Sequence, residues 1–210
     1  RDALNLQEIP EHLVIVGGGY IGLELGITFR MLGSKVTVLE AMDSVLPIFD
    51  KELRRPLEIG MKKMKIDVKT GVFAKGIEEP KEGKIEVLFT PKDAKDGAKP
   101  ERIKADKVLV TVGRKPKSDD LGPTGVALDE RGFVKVNQAC ETNMKGVYAI
   151  GDLNNLGEML AHVASHQGEM VAEIIAGHDR IYDPVAVPAI VFTEPEVVSV
   201  GLSPDEAKAA

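Results

Sequence analysis

The most constraining feature of this chain is a glycine-rich turn between an apolar strand and an amphipathic helix. The turn is Gly17-Gly18-Gly19-Tyr20-Ile21-Gly22, and the preceding residues 13–16, LVIV, are typical of a buried strand. A second β-branched strand is predicted over residues 35–39, and Glu40 follows it. This order of strand, turn, helix and strand predicts a parallel βαβ unit, so we expect an α/β protein.

The glycine spacing predicts what the turn binds. Gly17, Gly19 and Gly22 match the turn that holds the pyrophosphate of a dinucleotide in Rossmann-like domains. The first glycine permits the tight turn, the second leaves space for the pyrophosphate, and the third lets the helix approach the strand. The N–H groups and the positive dipole at the start of the helix would stabilise the phosphates.

Glu40 bears on which dinucleotide is bound. A carboxylate at the tip of the second strand can accept hydrogen bonds from the adenosine ribose hydroxyls, and it would repel a 2′-phosphate. The residues that follow, Ala41-Met42-Asp43-Ser44, include no arginine to hold such a phosphate. The sequence therefore predicts NAD rather than NADP. A βαβ unit that binds nothing is the alternative, because glycine-rich turns are common.

Composition excludes several other classes of function. The formal net charge is −6 with acidic and basic residues interspersed, so we expect no nucleic-acid or anionic membrane surface. No uncharged apolar run approaches about 18 residues, the length that a membrane-spanning helix needs. The single cysteine, Cys140, excludes an internal disulfide and is typical of a reducing compartment. The cytoplasm, or the mitochondrial matrix after removal of a leader, is the expected location.

Both ends of the sequence suggest an internal fragment of a longer protein. The chain starts at Arg1 rather than at methionine. Near the other end, Ser203-Pro204-Asp205-Glu206 has the pattern of a capping box with proline at the first helical position. The helix that it predicts stops after about two turns.

The remaining pattern predicts further elements. Asp50 is expected to cap a helix from Lys51 to about Lys65, which Pro56 would kink or delay. A proline- and serine-rich segment at residues 116–124 predicts a domain boundary. The other predicted elements are strands at 66–69, 72–77, 85–89, 108–112, 126–128, 133–136, 147–150 and 188–193, a polar loop at 90–102, and a helix from Met159 to Ile175 closed by Gly177.

Four motifs in this order resemble those of the flavin-dependent pyridine nucleotide-disulfide oxidoreductases. They are Gly17 to Gly22, Gly113-Arg114, Thr142 to Asp152, and Met159-Leu160-Ala161-His162. The last is similar to the segment that opens a helix aimed at the flavin in the dihydrolipoamide dehydrogenases of that family. The resemblance covers essentially the whole chain. It implies an NAD-binding domain over 1–117, the second segment of an FAD-binding domain over 118–184, and the truncated start of an α+β interface domain over 185–210.

The resemblance also implies binding residues for NAD and FAD. The NAD-binding set is Gly17, Gly18, Gly19, Tyr20, Ile21, Gly22, Leu23, Glu24, Glu40, Val72 and Gly113. The FAD-binding set is Asp152, Met159, Leu160, Ala161 and His162.

Some of these residues have more specific expected roles. Val72 would lie near the adenine, and Gly113 and Glu24 near the nicotinamide. Asp152 would accept a hydrogen bond from a ribityl hydroxyl. Tyr20 matches a residue that covers the flavin face in some family members, but plain helix packing is an equal alternative.

The implied activity is that of the whole protein. Protein-bound dihydrolipoamide would be oxidised through a redox disulfide and FAD, with hydride transfer to NAD⁺. The cysteine pair and the acid–base pair of the family match nothing in these 210 residues. We therefore expect no catalytic residue here and an inactive isolated chain. The implied partners are the lipoyl domains of 2-oxoacid dehydrogenase or glycine cleavage complexes, and a second copy in a homodimer.

Two other functions stay open. One is another flavin-dependent NAD(P)H oxidoreductase, such as a transhydrogenase or a coenzyme A disulfide reductase; the other is a non-catalytic NAD-binding module. No metal site is predicted, because His162 and His166 lack a third ligand at convincing spacing. Cys140 is predicted to be a small core residue in a strand rather than a redox thiol.

Overall fold

The computed structural model describes residues 2–79, 84–95 and 97–210. They form two compact units: residues up to Gly113 together with Pro188–Ala210, and Arg114–Val187. The predicted α/β class is confirmed, with a parallel sheet in the first unit. The finer assignment of 1–117, 118–184 and 185–210 to NAD, FAD and interface domains stays a prediction.

Strands and helices alternate at the start of the chain, and a run of strands follows. The strands are β1 His12–Val16, β2 Lys35–Leu39, β3 Asp67–Lys69, β4 Val72–Glu78, β5 Ile85–Pro91, β6 Glu101–Ala105, β7 Lys107–Val110, β8 Ala189–Val191 and β9 Val197–Ser199. The helices are α1 Tyr20–Met31, α2 Lys51–Lys63, α3 Ala161–Ile175 and α4 Pro204–Ala209.

The centre of the first unit is a parallel sheet in the order β3-β2-β1-β7. β1 and β2 occupy its middle, and residues 13–15 of β1 and 36–39 of β2 are buried, as in other buried parallel sheets. Leu13 and Ile15 of β1 pack with Leu23 and Ile27 of α1 in one core cluster. Val14 of β1 belongs to a second cluster on the other side of the strand.

A three-stranded antiparallel sheet, β4-β5-β6, follows β3. The predicted polar loop over 90–102 is wrong at both ends, because Thr90 and Pro91 belong to β5 and Glu101 and Arg102 belong to β6. Ile103 and Ala105 lie on one face of this strand and pack in the second core cluster. Two apolar residues on one face and pairing with β5 were therefore enough to form a strand from a largely charged sequence.

In the second unit, the strands predicted at 126–128, 133–136 and 147–150 are wrong. Only isolated bridges occur there, among them Leu128 with Val134 and Glu141 with Tyr148. Side-chain oxygens compete for backbone N–H groups around these segments. The carboxylate of Asp129 accepts from two N–H groups of the segment, and so does the side-chain oxygen of Asn137.

Several boundaries also differ from prediction. Helix α2 begins at Lys51, but Asp50 makes no side-chain capping bond. Helix α3 begins at Ala161 rather than Met159. Cys140 is a buried core residue, as predicted, but it lies in a turn with φ 59° rather than in a strand. Other shifted boundaries are those of α2, which ends at Lys63, of β3, which begins at Asp67, of β4 and β5, which end at Glu78 and Pro91, of β7, which spans 107–110, and of β8, which spans 189–191.

The capping box before α4 is confirmed. Ser203 Oγ accepts from Glu206 N at 3.3 Å, and the Glu206 carboxylate accepts from Ser203 N at 2.8 Å. Across the described stretches of the chain, no helix combines the length and the apolar character needed to cross a membrane.

Candidate dinucleotide-binding site

The glycine turn leaves the carboxyl end of β1 and leads directly into α1. Gly17 has φ 107°, and its N–H donates to Leu39 O at 2.8 Å. A Cβ atom on Gly17 would lie 2.7 Å from Thr111 O. Both the left-handed backbone and the lack of space therefore require glycine at this position.

Gly22 lies in the first turn of α1 and brings the helix onto the glycine turn. A Cβ atom on Gly22 would lie 2.3 Å from Gly17 O and 2.6 Å from Thr111 Oγ1. No rotation of a flexible side chain could relieve the first of these contacts, because the blocking atom belongs to the backbone. The close packing expected from the glycine spacing is present in the fold.

Gly19 differs from both of these glycines because it borders open space. It occupies the N-cap position of α1 with extended backbone, and a Cβ atom there would meet no described atom within 4 Å. Leu23 N donates to Gly19 O at 3.0 Å, so the N–H groups of the preceding three residues have no acceptor within the helix. An anionic group placed beside Gly19 would meet these donors and the positive end of the helix dipole.

Glu40 lies at the carboxyl end of β2 and is 8% exposed. Its Oε2 accepts from Gly18 N at 2.5 Å, and its Oε1 accepts from Met42 N at 2.7 Å. The carboxylate therefore joins the end of β2 to the glycine turn. Each carboxylate oxygen has a second lone pair, so hydroxyl donors could also bind there.

Thr111 is a site residue that the sequence pattern does not predict. It follows β7, and its backbone N donates to Val16 O at 2.8 Å. Its Oγ1 lies 3.0 Å from Gly17 O and 3.2 Å from Val16 O, and donates to these carbonyls. The available signal was the position of Thr111 near the end of the strand predicted over 108–112, two residues before Gly113, which has φ 137°.

Val72 lies beside Glu40, whereas Glu24 contacts the backbone of Phe192. Val72 N donates to Glu40 O at 3.0 Å, so Val72 borders the end of β2. Glu24 Oε1, on α1, accepts from Phe192 N at 2.9 Å. Tyr20 is half-buried and packs against the core cluster of this unit, as the packing alternative expects.

Leu23 and Ile21 have different exposure at the start of α1. The Leu23 side chain is 1% exposed and belongs to the core, so only its backbone could face a ligand. Ile21 is half-buried.

In the second unit, Asp152 lies in the short 3-10 turn Gly151–Leu153. Its half-buried carboxylate pairs with the guanidinium of Arg114. Gly151 has φ 65°, and a Cβ atom there would lie 2.8 Å from Ala164 Cβ on α3. The turn that carries Asp152 therefore rests directly on α3.

The segment Met159-Leu160-Ala161-His162 leads into α3. Leu160 occupies the N-cap position, and Ala164 N donates to Leu160 O at 3.1 Å. The first three N–H groups of α3 thus have no acceptor within the helix. Met159 and Leu160 are half-buried, whereas Ala161 and His162 are exposed. This end of the helix can stabilise negative charge on a bound group.

Cys140 and the histidines of α3 are the remaining candidates from the sequence. Burial raises the pKa of the Cys140 thiol to about 11, so the thiol is protonated at neutral pH. Within the described ranges, no three His, Cys, Asp or Glu side chains are placed to hold a metal ion. The ring of His166 lies 5.5 Å from that of Tyr182, measured between centroids.

Residues 1–168 match the family described as pyridine nucleotide-disulphide oxidoreductase. The chain belongs to this family. FAD and NAD are the cofactors of its dihydrolipoyl dehydrogenases, as the sequence motifs implied.

Curated relatives agree with the family. The chain is 48% identical over 212 residues to a dihydrolipoyl dehydrogenase of Pseudomonas aeruginosa, covering 100% of this chain and 43% of the relative. It is 43% identical over 208 residues to a dihydrolipoyl dehydrogenase of Geobacillus stearothermophilus, covering 98% of this chain and 43% of the relative. The resemblance to the dihydrolipoamide dehydrogenases is therefore confirmed, and the chain spans less than half the length of these relatives.

Solved structures of this family share the fold. One is a Cu(II) complex of the HOCl-induced flavoprotein disulfide reductase RclA of Escherichia coli, with TM-score 0.87 and 29% identity over 100% of this chain and 47% of that one. Another is LpdA of Mycobacterium tuberculosis, with TM-score 0.84 and 27% identity over 98% of this chain and 43% of that one.

Proposed function

We propose that this chain is the NAD-binding domain and a part of the FAD-binding domain of a dihydrolipoyl dehydrogenase. In the whole protein, dihydrolipoamide would be oxidised through a redox disulfide and FAD, and NAD⁺ would accept the hydride. The observation that carries this proposal is the 48% identity to a dihydrolipoyl dehydrogenase over the full length of the chain. The geometry of the two sites supports it.

The first unit has the features that NAD would need. The open space beside Gly19 and the N–H groups at the start of α1 suit the pyrophosphate. The buried carboxylate of Glu40 suits the ribose hydroxyls and would oppose a 2′-phosphate. In this proposal Val72 lies on the adenine side, and Gly113 and Glu24 lie on the nicotinamide side.

The second unit has features that suit FAD. Asp152 is half-buried and paired with Arg114, and its carboxylate oxygens can accept a hydrogen bond from a ribityl hydroxyl. The N–H groups at the start of α3 and the residues Met159 to His162 would face the flavin ring and stabilise negative charge on it. When bound, the two cofactors supply hydride transfer, while the residues of this chain hold and polarise them.

No residue of this chain is proposed to act as nucleophile or proton-transfer base. The only thiol, Cys140, is buried and has no partner cysteine in the sequence. Lipoyl domains of 2-oxoacid dehydrogenase or glycine cleavage complexes, and a second copy of the chain, stay proposed partners. A cytoplasmic or mitochondrial-matrix location stays a proposal as well.

The structural similarity to RclA favours one other function. A TM-score of 0.87 at 29% identity is compatible with a flavoprotein disulfide reductase whose substrate is not dihydrolipoamide. Such a protein would share both cofactor sites with the leading proposal. The two functions differ in the dithiol–disulfide couple that exchanges electrons with the flavin.

The deciding experiment follows the flavin in the natural protein that carries these residues. We expect a yellow protein whose absorbance near the flavin maximum is bleached by dihydrolipoamide under anaerobic conditions and restored by NAD⁺. NADP⁺ at the same concentration serves as the control and should restore little. A flavin that dihydrolipoamide leaves oxidised while another disulfide couple exchanges electrons with it would support the disulfide reductase instead. A colourless protein would contradict both functions.

A further inference from the structure

A buried amide network joins α3 to the turn that carries Asp152. Gln167, on α3, is 0% exposed, and Asn154, just after the turn, is 2% exposed. Gln167 Oε1 accepts from Gly151 N at 2.7 Å and from Asn154 Nδ2 at 2.8 Å. Asn154 Nδ2 also donates to Ala149 O at 2.9 Å. One amide oxygen thus accepts two hydrogen bonds, one from a buried donor at each end of the turn.

The orientation of both amides follows from backbone groups. Gly151 N is a donor by chemistry, so the atom of Gln167 that faces it must be the oxygen. Asn154 contacts the carbonyl of Ala149 through Nδ2, and its Oδ1 accepts from Leu156 N at 2.9 Å. Exchanging oxygen and nitrogen in either side chain would place donors against donors.

The other end of the Gln167 amide is unused. Gln167 Nε2 is buried and has no hydrogen-bond partner among the described residues. Both hydrogen bonds of the Gln167 side chain therefore use its oxygen. Gly151 N and Asn154 Nδ2 need only the acceptor oxygen of residue 167. A side chain that keeps this oxygen without the Nε2 donor should therefore preserve both hydrogen bonds.

The network fixes the relative position of two elements that the proposed function assigns to FAD. Asp152 is on the turn, and the N–H groups offered to the flavin ring are at the start of α3. Gly151 touches Ala164 of α3, where a Cβ atom would approach to 2.8 Å. Six residues after Ala161, the oxygen of Gln167 ties the same turn to the same helix.

We propose that Gln167 is a positioning residue for the flavin site, which acts by holding the Asp152 turn at a set distance from the amino end of α3. Gln167 touches no reacting atom and acts only through the turn. The inference rests on the proposed function, because it assigns Asp152 and the start of α3 to FAD.

Three substitutions in the whole natural protein test this inference. Gln167→Met keeps the length of the side chain but removes the acceptor, so Gly151 N and Asn154 Nδ2 lose a partner. Gln167→Glu keeps the acceptor and removes the unpaired donor. Gln138→Met makes the same chemical change at an exposed glutamine of the same unit and is the matched control.

FAD affinity is measured by titrating the apoprotein with FAD and following the quenching of flavin fluorescence, so that turnover is not needed. We expect Gln167→Met to raise the FAD dissociation constant by about tenfold, the effect of leaving buried donors unpaired. Gln167→Glu keeps both hydrogen bonds but adds a buried charge, so its effect should be smaller than that of Gln167→Met. Gln138→Met should stay within about twofold of the unsubstituted protein, a difference of under half a kcal/mol. Thermal unfolding of each apoprotein shows whether the fold is retained.

The outcomes separate this inference from the proposed function. FAD binding that Gln167→Met leaves unchanged, or that Gln167→Glu weakens as much as Gln167→Met, would overturn the positioning role alone. An unsubstituted protein that binds no FAD would overturn the proposed function and this inference with it. If Gln167→Met does not fold, Gln167→Asn carries the same test, because it withdraws the acceptor by one methylene while keeping an amide.

Discussion

The carboxylate of Glu40 accepts a hydrogen bond from Gly18 N at 2.5 Å, across 22 positions of sequence. With the second bond from Met42 N, it uses one lone pair of each oxygen on the protein itself. The Glu40 carboxylate, which is proposed to bind the ribose of NAD, therefore also stabilises the glycine turn. Changes at Glu40 should affect stability and ligand binding together.

Glu40→Gln is expected to weaken both properties. The amide nitrogen would face either Gly18 N or Met42 N, so one buried donor would lose its acceptor, at a cost of about 1–3 kcal/mol in unfolding free energy. NAD⁺ affinity should fall roughly tenfold through the lost ribose contact. Calorimetric titration and urea unfolding measure the two effects. Glu8→Gln, at an exposed position, is the control and should change neither. Unchanged NAD⁺ affinity in Glu40→Gln would contradict the ribose role.

Gly19→Ala should separate binding from stability. The added Cβ would meet no described atom within 4 Å, and the backbone of Gly19 is extended, so the protein should fold normally. The same methyl group would occupy the space proposed for the pyrophosphate, so we expect NAD⁺ affinity to fall about tenfold or more. The measurement is again calorimetric titration beside thermal unfolding. Full NAD⁺ affinity in this variant would place the pyrophosphate elsewhere.

Gly76→Ala is the matched control for Gly19→Ala. Its Cβ would also enter open space within the described chain, but far along the sequence from the glycine turn, in β4. It should leave NAD⁺ affinity unchanged.

Gly22→Ala should lower the stability of the fold, in contrast to Gly19→Ala, which should lower only NAD⁺ affinity. Its Cβ would lie 2.3 Å from Gly17 O, so α1 would have to move away from the end of β1. Overpacking of this kind costs about 1–3 kcal/mol or more. We expect a lower unfolding midpoint even without ligand, measured by urea unfolding followed by circular dichroism. Stability equal to that of Gly19→Ala would mean that the helix can shift freely.

The arrangement of the glycine turn and Glu40, which we propose to bind NAD, was predictable because its determinants are local. The glycine spacing, the strand before it and the acid after β2 lie within one βαβ unit, and the structure places Glu40 beside Gly18. The contribution of Thr111 was not predictable, because it depends on the pairing of β7 with β1, which are about 95 residues apart.

In the second unit, the sequence predicts strands that these residues do not form. Short apolar runs at 126–128, 133–136 and 147–150 predicted strands, yet Asp129 and Asn137 bind N–H groups within and between these runs. The oxygen of Gln167 was likewise invisible in the sequence, since a glutamine in a helix is usually exposed. Pattern predicts which segments are apolar, whereas side-chain hydrogen bonds to the backbone decide between regular and irregular structure.

The buried thiol of Cys140 predicts a pH dependence of stability. Burial raises its pKa from 9.0 to about 11, so the folded state holds the proton more tightly than the unfolded state does. The resulting stabilisation is complete below about pH 9 and is lost as pH rises through about 11. It amounts to roughly 3 kcal/mol. Urea unfolding of the natural protein between pH 8 and 11 should show this loss, and Cys140→Ala should lack that part of it. Identical pH profiles for the two proteins would contradict the prediction. At pH 8 the thiol should also resist iodoacetamide until urea unfolds the protein, as mass spectrometry of the peptide with Cys140 would show.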